Sequence, residues 1–454
     1  MTILQKTIAL PGFAAKSVDP RKARLLRFLS CSGAGLLNFG GTQVIRLGGN
    51  LILTRMLAPE AFGLMALINV FLIGLKMVSD LGIGPSIIRR QEPLTEAFLG
   101  TAWTLQVIRG WILFAIVCAI AYPLSRFYAE PSLLWLIPVV GSAQAILGFR
   151  SVSFFIEEKK MNHFGPTLLN LGSALAGLLV AIVLAQTLQS VWALVWSAVV
   201  AAVLNVAGSF AFLPHCRLRI RWDAASGKEL VRFGKWITLS TAIAFLGTQG
   251  DRLILGKWLT MEELGIYTVA FFFAQSVTSL LSGTGNRVLL PMLSRSDFES
   301  REEKRNTYNR SRAAFVALAA PLLALFAAAG SPFIQFLYDA RYADAGPMLE
   351  ILALGAMTAV LRSFFQPLML SHGDAFRRMI LSTAETVFLL LGMIIGGTTF
   401  GLPGFLWGWV GGQALSYAFG LCLVRKYRLH NLIPDLALIL LVLASKQVPA
   451  LLQH

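Results

Sequence analysis

Apolar stretches long enough to cross a membrane recur along almost the whole 454-residue chain. The hydrocarbon core of a bilayer is about 30 Å thick, and an α-helix needs about 20 mostly apolar residues to cross it. Only 14% of the residues are charged, whereas a soluble domain carries roughly 25%. The sequence therefore predicts an all-α polytopic membrane protein.

The predicted spans fall into two groups of six, separated by a basic linker at residues 214–235. In chain order they are 31–53, 62–84, 97–122, 131–155, 166–186 and 190–213, then 236–258, 264–291, 313–337, 346–370, 380–399 and 402–424. This divides the chain into an N-terminal segment (1–30), an N-lobe (31–213), the linker, a C-lobe (236–424) and a tail (425–454). The apolar stretch 432–443 of the tail is too short for a span. We expect it to lie at the interface or dock on the bundle, and the sequence leaves its insertion open.

The net charge of +16 is unevenly distributed between alternate loops. The N-terminal segment, the even-numbered loops and the start of the tail hold 27 lysines and arginines, whereas the odd-numbered loops and their edges hold four. Such an excess is the positive-inside pattern, which predicts that both termini are cytoplasmic. We expect no nucleic-acid partner, because the basic residues are spread over seven segments and no DNA or RNA motif accompanies them.

Motifs for cofactors, metals and catalysis are missing from the sequence. It contains no GxxxxGK[ST] phosphate loop, and its four cysteines and five histidines are scattered without ligand spacing. The first 30 residues are polar and basic, so we predict that the first span, and not a cleavable signal peptide, directs insertion. We therefore expect no catalytic residue, no cofactor and no metal site.

The chain contains an internal repeat. Residues 50–71 align without gaps, at an offset of 202, with residues 252–273, and seven of the 22 positions are identical. A second similarity joins Arg150 and its neighbours to Arg362 and its neighbours in the same order. Because each half holds six spans, the halves are parallel repeats. The prediction is two pseudo-symmetric six-helix lobes around a central cavity, with alternating access by rocking of the lobes.

Charged residues inside the predicted spans are candidates for function, because each costs about 2.5 to 3.5 kcal/mol at a helix centre. Seven cationic residues stand against four anionic ones. We predict that the arginines line a hydrated anion-binding cavity, since a guanidinium binds phosphate oxygens in bidentate fashion. The proposed substrate-binding residues are Arg46, Arg109, Arg150, Arg252, Arg287 and Arg362, and the carboxylates open to ion coupling are Asp80, Asp251 and Glu385.

Purely structural roles for the same residues stay open. Any of the arginines can bond to carbonyls of a neighbouring helix or extend to the membrane surface from a span end, and Arg150 and Arg287 lie nearest to such ends. Asp80 can pair with a lysine four residues earlier, and Glu385 can neutralise one arginine. Arg46 is the strongest candidate, because it shares a helical face with Thr42, Gln43 and Asn50 well inside the first span.

Three segments carry a family resemblance. They are LTRMLAPEAFGLMAL between the first two spans, DLGIGPSIIRR at the end of the second, and FLYDARYADAGPMLEILALG between the ninth and tenth. With them the chain resembles the Wzx-type polysaccharide-export flippases of the multidrug, oligosaccharidyl-lipid and polysaccharide exporter superfamily. The resemblance implies translocation of undecaprenyl-diphosphate-linked oligosaccharide units for exopolysaccharide or O-antigen assembly. It also implies a cationic cavity for the diphosphate and acidic sugars, with membrane lipids around it and a polysaccharide polymerase as a candidate partner.

Two other classes compete with this interpretation. A drug/cation antiporter of the same superfamily would carry acidic residues in its cavity, and the cationic excess argues against it. A membrane-embedded glycosyltransferase or polymerase would need large extracytoplasmic loops, and the odd-numbered loops here are short. Neither the glycan, nor coupling to H⁺ or Na⁺, nor the oligomeric state follows from the sequence. Some members of the family have fourteen spans, and we expect twelve in this sequence.

Overall fold

The computed structural model of the chain describes residues 40–451, except 80–82, 91, 161, 163, 214–219, 224–244, 246–247, 294–299, 428 and 430–432. Every regular element among these residues is helical. In the N-lobe the helices are α1 (40–56), α2 (Pro59–Val78), α3 (Ile83–Arg89), α4 (Glu96–Phe127), α5 (Leu133–Gly148), α6 (Ser153–Lys159), α7 (Phe164–Leu188) and α8 (Trp192–Ala211).

The remaining helices form the C-lobe and the tail. They are α9 (248–258), α10 (Met261–Leu293), α11 (Arg301–Leu337), α12 (Ala345–Ser363), α13 (Phe365–Ser371), α14 (Ala375–Val424) and α15 (Ile433–Leu451). Short 3₁₀ turns lie at Ala340–Tyr342 and Arg425–Tyr427. The prediction of an all-helical membrane protein is confirmed.

The predicted spans can be assigned to these helices. Eight described helices are long and apolar enough to cross a membrane, or nine if the bent pair α5 and α6 is one span. One of the eight is α14, which holds the eleventh and twelfth predicted spans, joined where Phe400 and Gly401 leave helical geometry. Helices α1 and α9 are the described parts of the first and seventh spans. The described residues are thus compatible with about twelve crossings.

The fourth span, predicted at 131–155, is bent in the structure. Helix α5 ends at Gly148, and α6 continues at an angle of 62°. Side-chain hydrogen bonding explains why the break is tolerated, because Gln106 Nε2 of α4 donates to the carbonyls of Gly148 (3.0 Å) and Arg150 (2.8 Å). A backbone carbonyl freed at membrane depth needs such a donor. The second span also ends earlier than predicted, since α2 stops at Val78.

The two lobes cross at equivalent positions of the internal repeat. A Cβ atom on Gly63 of α2 would lie 1.8 Å from the carbonyl oxygen of Met261, and one on Gly265 of α10 would lie 1.9 Å from that of Pro59. Positions 59 and 63 correspond to 261 and 265 at the offset of 202, so the contact is reciprocal. Glycine is required at both positions because the helix backbones touch. This reciprocity shows the pseudo-symmetric arrangement of the lobes.

Aromatic side chains also contribute to the contact between the two lobes. The ring of Phe71 packs edge-on against Tyr128 at 5.8 Å, and the repeat-equivalent Phe273 packs against Tyr338 at 6.0 Å. Each tyrosine then bonds to the opposite lobe. Tyr128 Oη donates to the carbonyl of Leu253 (3.4 Å), and Asn50 Nδ2 of α1 donates to Tyr338 Oη (3.2 Å). The lobes are therefore joined where α1 and α9 end and α2 and α10 begin.

The tail forms a helix that docks on the C-lobe. Helix α15 packs along α11, and Asp435 at its start forms an ion pair with Arg312 of α11. Both side chains are fully buried. The hydroxyl of Tyr417 in α14 also donates to Asp435 Oδ2 at 2.5 Å. A buried pair needs such additional hydrogen bonds to offset its desolvation.

Candidate functional site

Arg46 of α1 lies between the lobes. Its guanidinium is over the ring of Phe272 in α10, 5.4 Å from the ring centroid, so an N-lobe cation contacts a C-lobe ring. The side chain is nevertheless exposed, which means that the space between the lobes reaches it. Cation–π contact holds an arginine in place and leaves its N–H groups available to an anion.

Arg252 of α9 approaches the same place from the C-lobe. Its guanidinium lies 5.1 Å from the centroid of the Phe271 ring, and its Nη1 donates to Gln249 Oε1 at 2.9 Å. Arg46 and Arg252 are close enough for their charges to repel each other. The two cations, one from each lobe, therefore lie side by side on consecutive rings of α10.

This arrangement suits an anion with more than one oxygen group. Two guanidinium groups that repel each other are stabilised when a shared anion lies between them, and phosphate oxygens match the planar fork of arginine. The neighbouring face of α1 is polar, with Thr42, Gln43 and Asn50 half-buried. We call Arg46, Arg252 and the two rings that hold them the interlobe arginine pair.

The described carboxylates among those predicted for ion coupling are bonded to other side chains. Asp251, next to Arg252, is buried and accepts a hydrogen bond from Tyr267 Oη (2.9 Å). Glu385 of α14 binds Arg362 of α12 through both carboxylate oxygens, and Gln413 lies 3.4 Å from the same guanidinium. Asp80 lies outside the described residues. A role of these acids in ion coupling stays a prediction.

Two of the other predicted arginines lie together in the N-lobe. Arg109 and Arg150 line a cavity of about 240 Å³ inside the N-lobe, together with Lys76, Gln106 and Gln144. Arg109 Nε donates to Ser79 Oγ at 3.1 Å.

Arg150, Arg362 and Arg287 differ in what surrounds them. Arg150 lies 4.1 Å from the centroid of the Phe154 ring. Arg362 is buried in its pair with Glu385. The side chain of Arg287 in α10 lies outside the described residues. Substrate binding by these arginines stays a prediction.

Sequence reasoning missed the aromatic side chains of the site. Phe271 and Phe272 hold the two arginines, and Tyr338 holds Asn50. A signal was present in the internal repeat, because its C-lobe copy ends in three consecutive phenylalanines, whereas the N-lobe copy ends in a single one. Large rings at the end of a segment that also carries an arginine would have suggested a cation–π contact.

A sequence profile of a family described as "Polysaccharide biosynthesis protein" matches residues 52–347, which is well over half of the chain. The chain belongs to this family. The matched range includes the lobe crossing, α9 with Arg252, and the rings of α10. The resemblance found in the sequence is therefore confirmed at the level of the family.

Individual relatives are more distant. The succinoglycan biosynthesis transport protein ExoT of Rhizobium meliloti is 22% identical over 322 residues, which cover 71% of this chain and 65% of that protein. The teichuronic acid biosynthesis protein TuaB of Bacillus subtilis is 22% identical, with 66% and 62% covered. The lipopolysaccharide biosynthesis protein WzxC of Escherichia coli is 24% identical, with 84% and 77% covered. The chain thus spans a little under two thirds of the first two relatives.

Solved structures support the fold. The inward closed conformation of the lipid II flippase MurJ superposes with a TM-score of 0.71 at 11% identity, covering 93% of this chain and 98% of that one. An inward-facing multidrug transporter of the MATE family superposes with a TM-score of 0.64 at 16% identity, covering 85% and 94%. At such low identity the likeness concerns the fold alone.

Proposed function

We propose that the chain is a flippase that moves undecaprenyl-diphosphate-linked oligosaccharide units across the bacterial inner membrane. The observation that carries the proposal is the interlobe arginine pair, because Arg46 and Arg252 come from opposite lobes and lie on consecutive rings of α10. A diphosphate bound there would touch both lobes. Rocking of the lobes would then change the side from which the anion is accessible, which is the requirement of alternating access.

The site favours an anion over a cation. Its two unambiguous charges are positive, and Asp251 is turned to Tyr267. A cation antiporter would need a carboxylate open to the cavity, and none of the described carboxylates is placed so at the interlobe arginine pair. The family match and the relatives named for polysaccharide transport and biosynthesis support the same direction. We accordingly propose transport without catalysis, alongside a polysaccharide polymerase that joins the exported units.

The decisive experiment removes Arg46. We expect Arg46→Ala to reach the membrane in normal amounts and to abolish glycan export, because the diphosphate loses its N-lobe contact. Arg46→Lys, which keeps the charge but loses the bidentate fork, should retain part of the export. The matched control is Arg126→Ala, since Arg126 is an exposed arginine at the far end of α4. Normal export by Arg46→Ala at normal protein levels would show that the anion-site assignment is incorrect.

The orientation in the membrane has its own test. The charge asymmetry places both termini and the linker in the cytoplasm. A single cysteine at Ser226 in the linker should therefore be protected from an impermeant thiol reagent in intact cells and become reactive after permeabilisation. Labelling from the periplasmic side of intact cells would reverse the topology.

A further inference from the structure

A second basic site lies at the end of the C-lobe that the charge asymmetry assigns to the cytoplasm. It is a cleft of about 420 Å³, which we call the basal cleft. Three separated parts of the chain contribute to it: the start of α11, the turn between α13 and α14, and the 3₁₀ turn after α14. Its polar side chains are Arg301, Lys304, His372, Asp374, Lys426 and Tyr427.

Tyr427 gives the cleft a fixed floor. The residue is buried, and its carbonyl accepts a hydrogen bond from Arg301 Nη2 at 2.8 Å. Its hydroxyl donates to Asp374 Oδ2 at 2.8 Å, and its ring lies 4.7 Å from that of His372. One buried residue thus connects all three parts of the chain. The walls of the cleft are therefore positioned by the fold, unlike a loose group of surface lysines.

The charge of the basal cleft is positive. Asp374 is its one lining carboxylate, and it is turned to Tyr427 and to the backbone N–H of Arg377 (3.1 Å). These hydrogen bonds hold the pKa of Asp374 below its usual range, so the group is an ionised acceptor that is already used. Arg301, Lys304 and Lys426 carry three positive charges against this one. Converging cations in a cleft attract an anion with several acceptor oxygens.

The depth of the cleft relative to the apolar segments points to the source of that anion. Lys426 follows the apolar end of α14 directly, and Lys304 precedes the apolar part of α11, which begins after Arg312. Both lysines are therefore at the level of the headgroups, where anionic lipids attract basic residues. We propose that the basal cleft binds the phosphate of an anionic phospholipid of the inner leaflet. This site is separate from the interlobe arginine pair.

The test uses the full chain in phosphatidylcholine nanodiscs into which phosphatidylglycerol is titrated, with lipid binding followed by native mass spectrometry. The double variant Lys304→Gln/Lys426→Gln should weaken phosphatidylglycerol binding by on the order of tenfold. The matched control is Arg305→Gln/Arg425→Gln, which removes the same charge from exposed neighbours outside the cleft. We expect this control to bind nearly as well as the parent chain.

Three results would overturn the proposal. Equal weakening by both double variants would show general surface attraction, and equal binding of phosphatidylcholine would show that the phosphate charge is not recognised. Displacement of phosphatidylglycerol by millimolar inorganic phosphate would make a soluble phosphate the ligand instead of a lipid. Unfolding temperatures without phosphatidylglycerol check that the variants are intact. Should the double variant unfold, Lys426→Gln alone serves, because Lys426 is exposed and should still show several-fold weaker binding.

Discussion

Different side-chain chemistry joins the spans inside each of the two lobes. In the N-lobe, the fifth and sixth spans meet through a neutral hydrogen bond, with Asn205 Nδ2 donating to Ser173 Oγ at 3.0 Å. In the C-lobe, the tenth and eleventh spans meet through the Arg362–Glu385 ion pair, with Gln413 of the twelfth beside it. The repeat thus shares a topology, and its halves have diverged in their interior charges.

The burial of α12, which carries Arg362, explains why that arginine is paired with a carboxylate. Of the most apolar part of α12 and α13, 83% is buried, compared with 22% for α7 and 33% for α8. A charge on so enclosed a helix persists only beside a partner of opposite charge. Arg150, which the sequence relates to Arg362, instead lines a cavity and lies on an aromatic ring. The two related positions therefore hold an arginine for different reasons. Arg362 forms a buried ion pair, whereas Arg150 faces a cavity.

The largest expected effect separates these two arginines. Arg362→Ala should destabilise the protein by about 3 to 5 kcal/mol, because it leaves the largely buried Glu385 without its partner. Arg150→Ala should cost about 0.5 to 2 kcal/mol, the range of a cation–π contact. Unfolding in mixed micelles, followed by helical circular dichroism, measures both changes.

A double variant checks the cause. Arg362→Met/Glu385→Leu should recover most of the stability lost in Arg362→Ala, since neither position of the pair then carries a charge. An Arg150→Ala change as costly as Arg362→Ala would contradict the contrast between the lobes.

Substitutions at the two crossing glycines should have similar effects on stability, unlike those in the interiors of the lobes. Gly63→Ala and Gly265→Ala each place a methyl group against a backbone carbonyl of the other lobe. Each should cost about 1 to 3 kcal/mol through overpacking, measured in the same unfolding experiment. The matched control is Gly172→Ala in α7, where a Cβ would meet nothing within 4 Å, and alanine there should stabilise by up to about 1 kcal/mol. A large effect at only one of the two crossing glycines would argue against a reciprocal contact.

The smallest effect concerns an exposed contact between the lobes. Arg341 bonds to Asp339 (3.0 Å from Nε) and to the carbonyl of Thr54 in the N-lobe (3.2 Å). The hydrogen bond from Arg341 lowers the pKa of Asp339 below its usual 3.8. Its contribution is therefore present above pH 3.8 and is lost as the pH falls through the lower folded-state value. Since the pair is exposed, it should be worth only about 0.2 to 1 kcal/mol.

Two spin labels can report this contact between the lobes. They replace Glu60 and Glu262, which are exposed at the starts of α2 and α10, and the distance between the labels is measured. Acidification below pH 3.8 should broaden the distance distribution in the parent chain. Asp339→Asn should show the broader distribution already at neutral pH and change less on acidification. An acid response of the same size in Asp339→Asn would assign the effect to another group.

Much of the fold could be predicted because the bilayer imposes simple rules on a chain. Span length and alternating loop charge follow from hydrophobicity and insertion, which act on local sequence. The offset of 202 between the repeats comes from aligned residues of the sequence itself. The same repeat makes Gly63 and Gly265 equivalent positions. The bend between α5 and α6 was not predictable, because it depends on Gln106 of another helix.

The candidate site was likewise predictable only in part. The sequence by itself determined that several arginines must lie at membrane depth, and it selected Arg46 from the polar face of its helix. Only the tertiary structure decided which of them meet. Arg46 and Arg252 are brought together by neighbouring rings of α10, whereas Arg362 is paired with Glu385. The physical reason is that the cost of a buried charge is visible in composition, but the partner that offsets it comes from a segment distant in the chain.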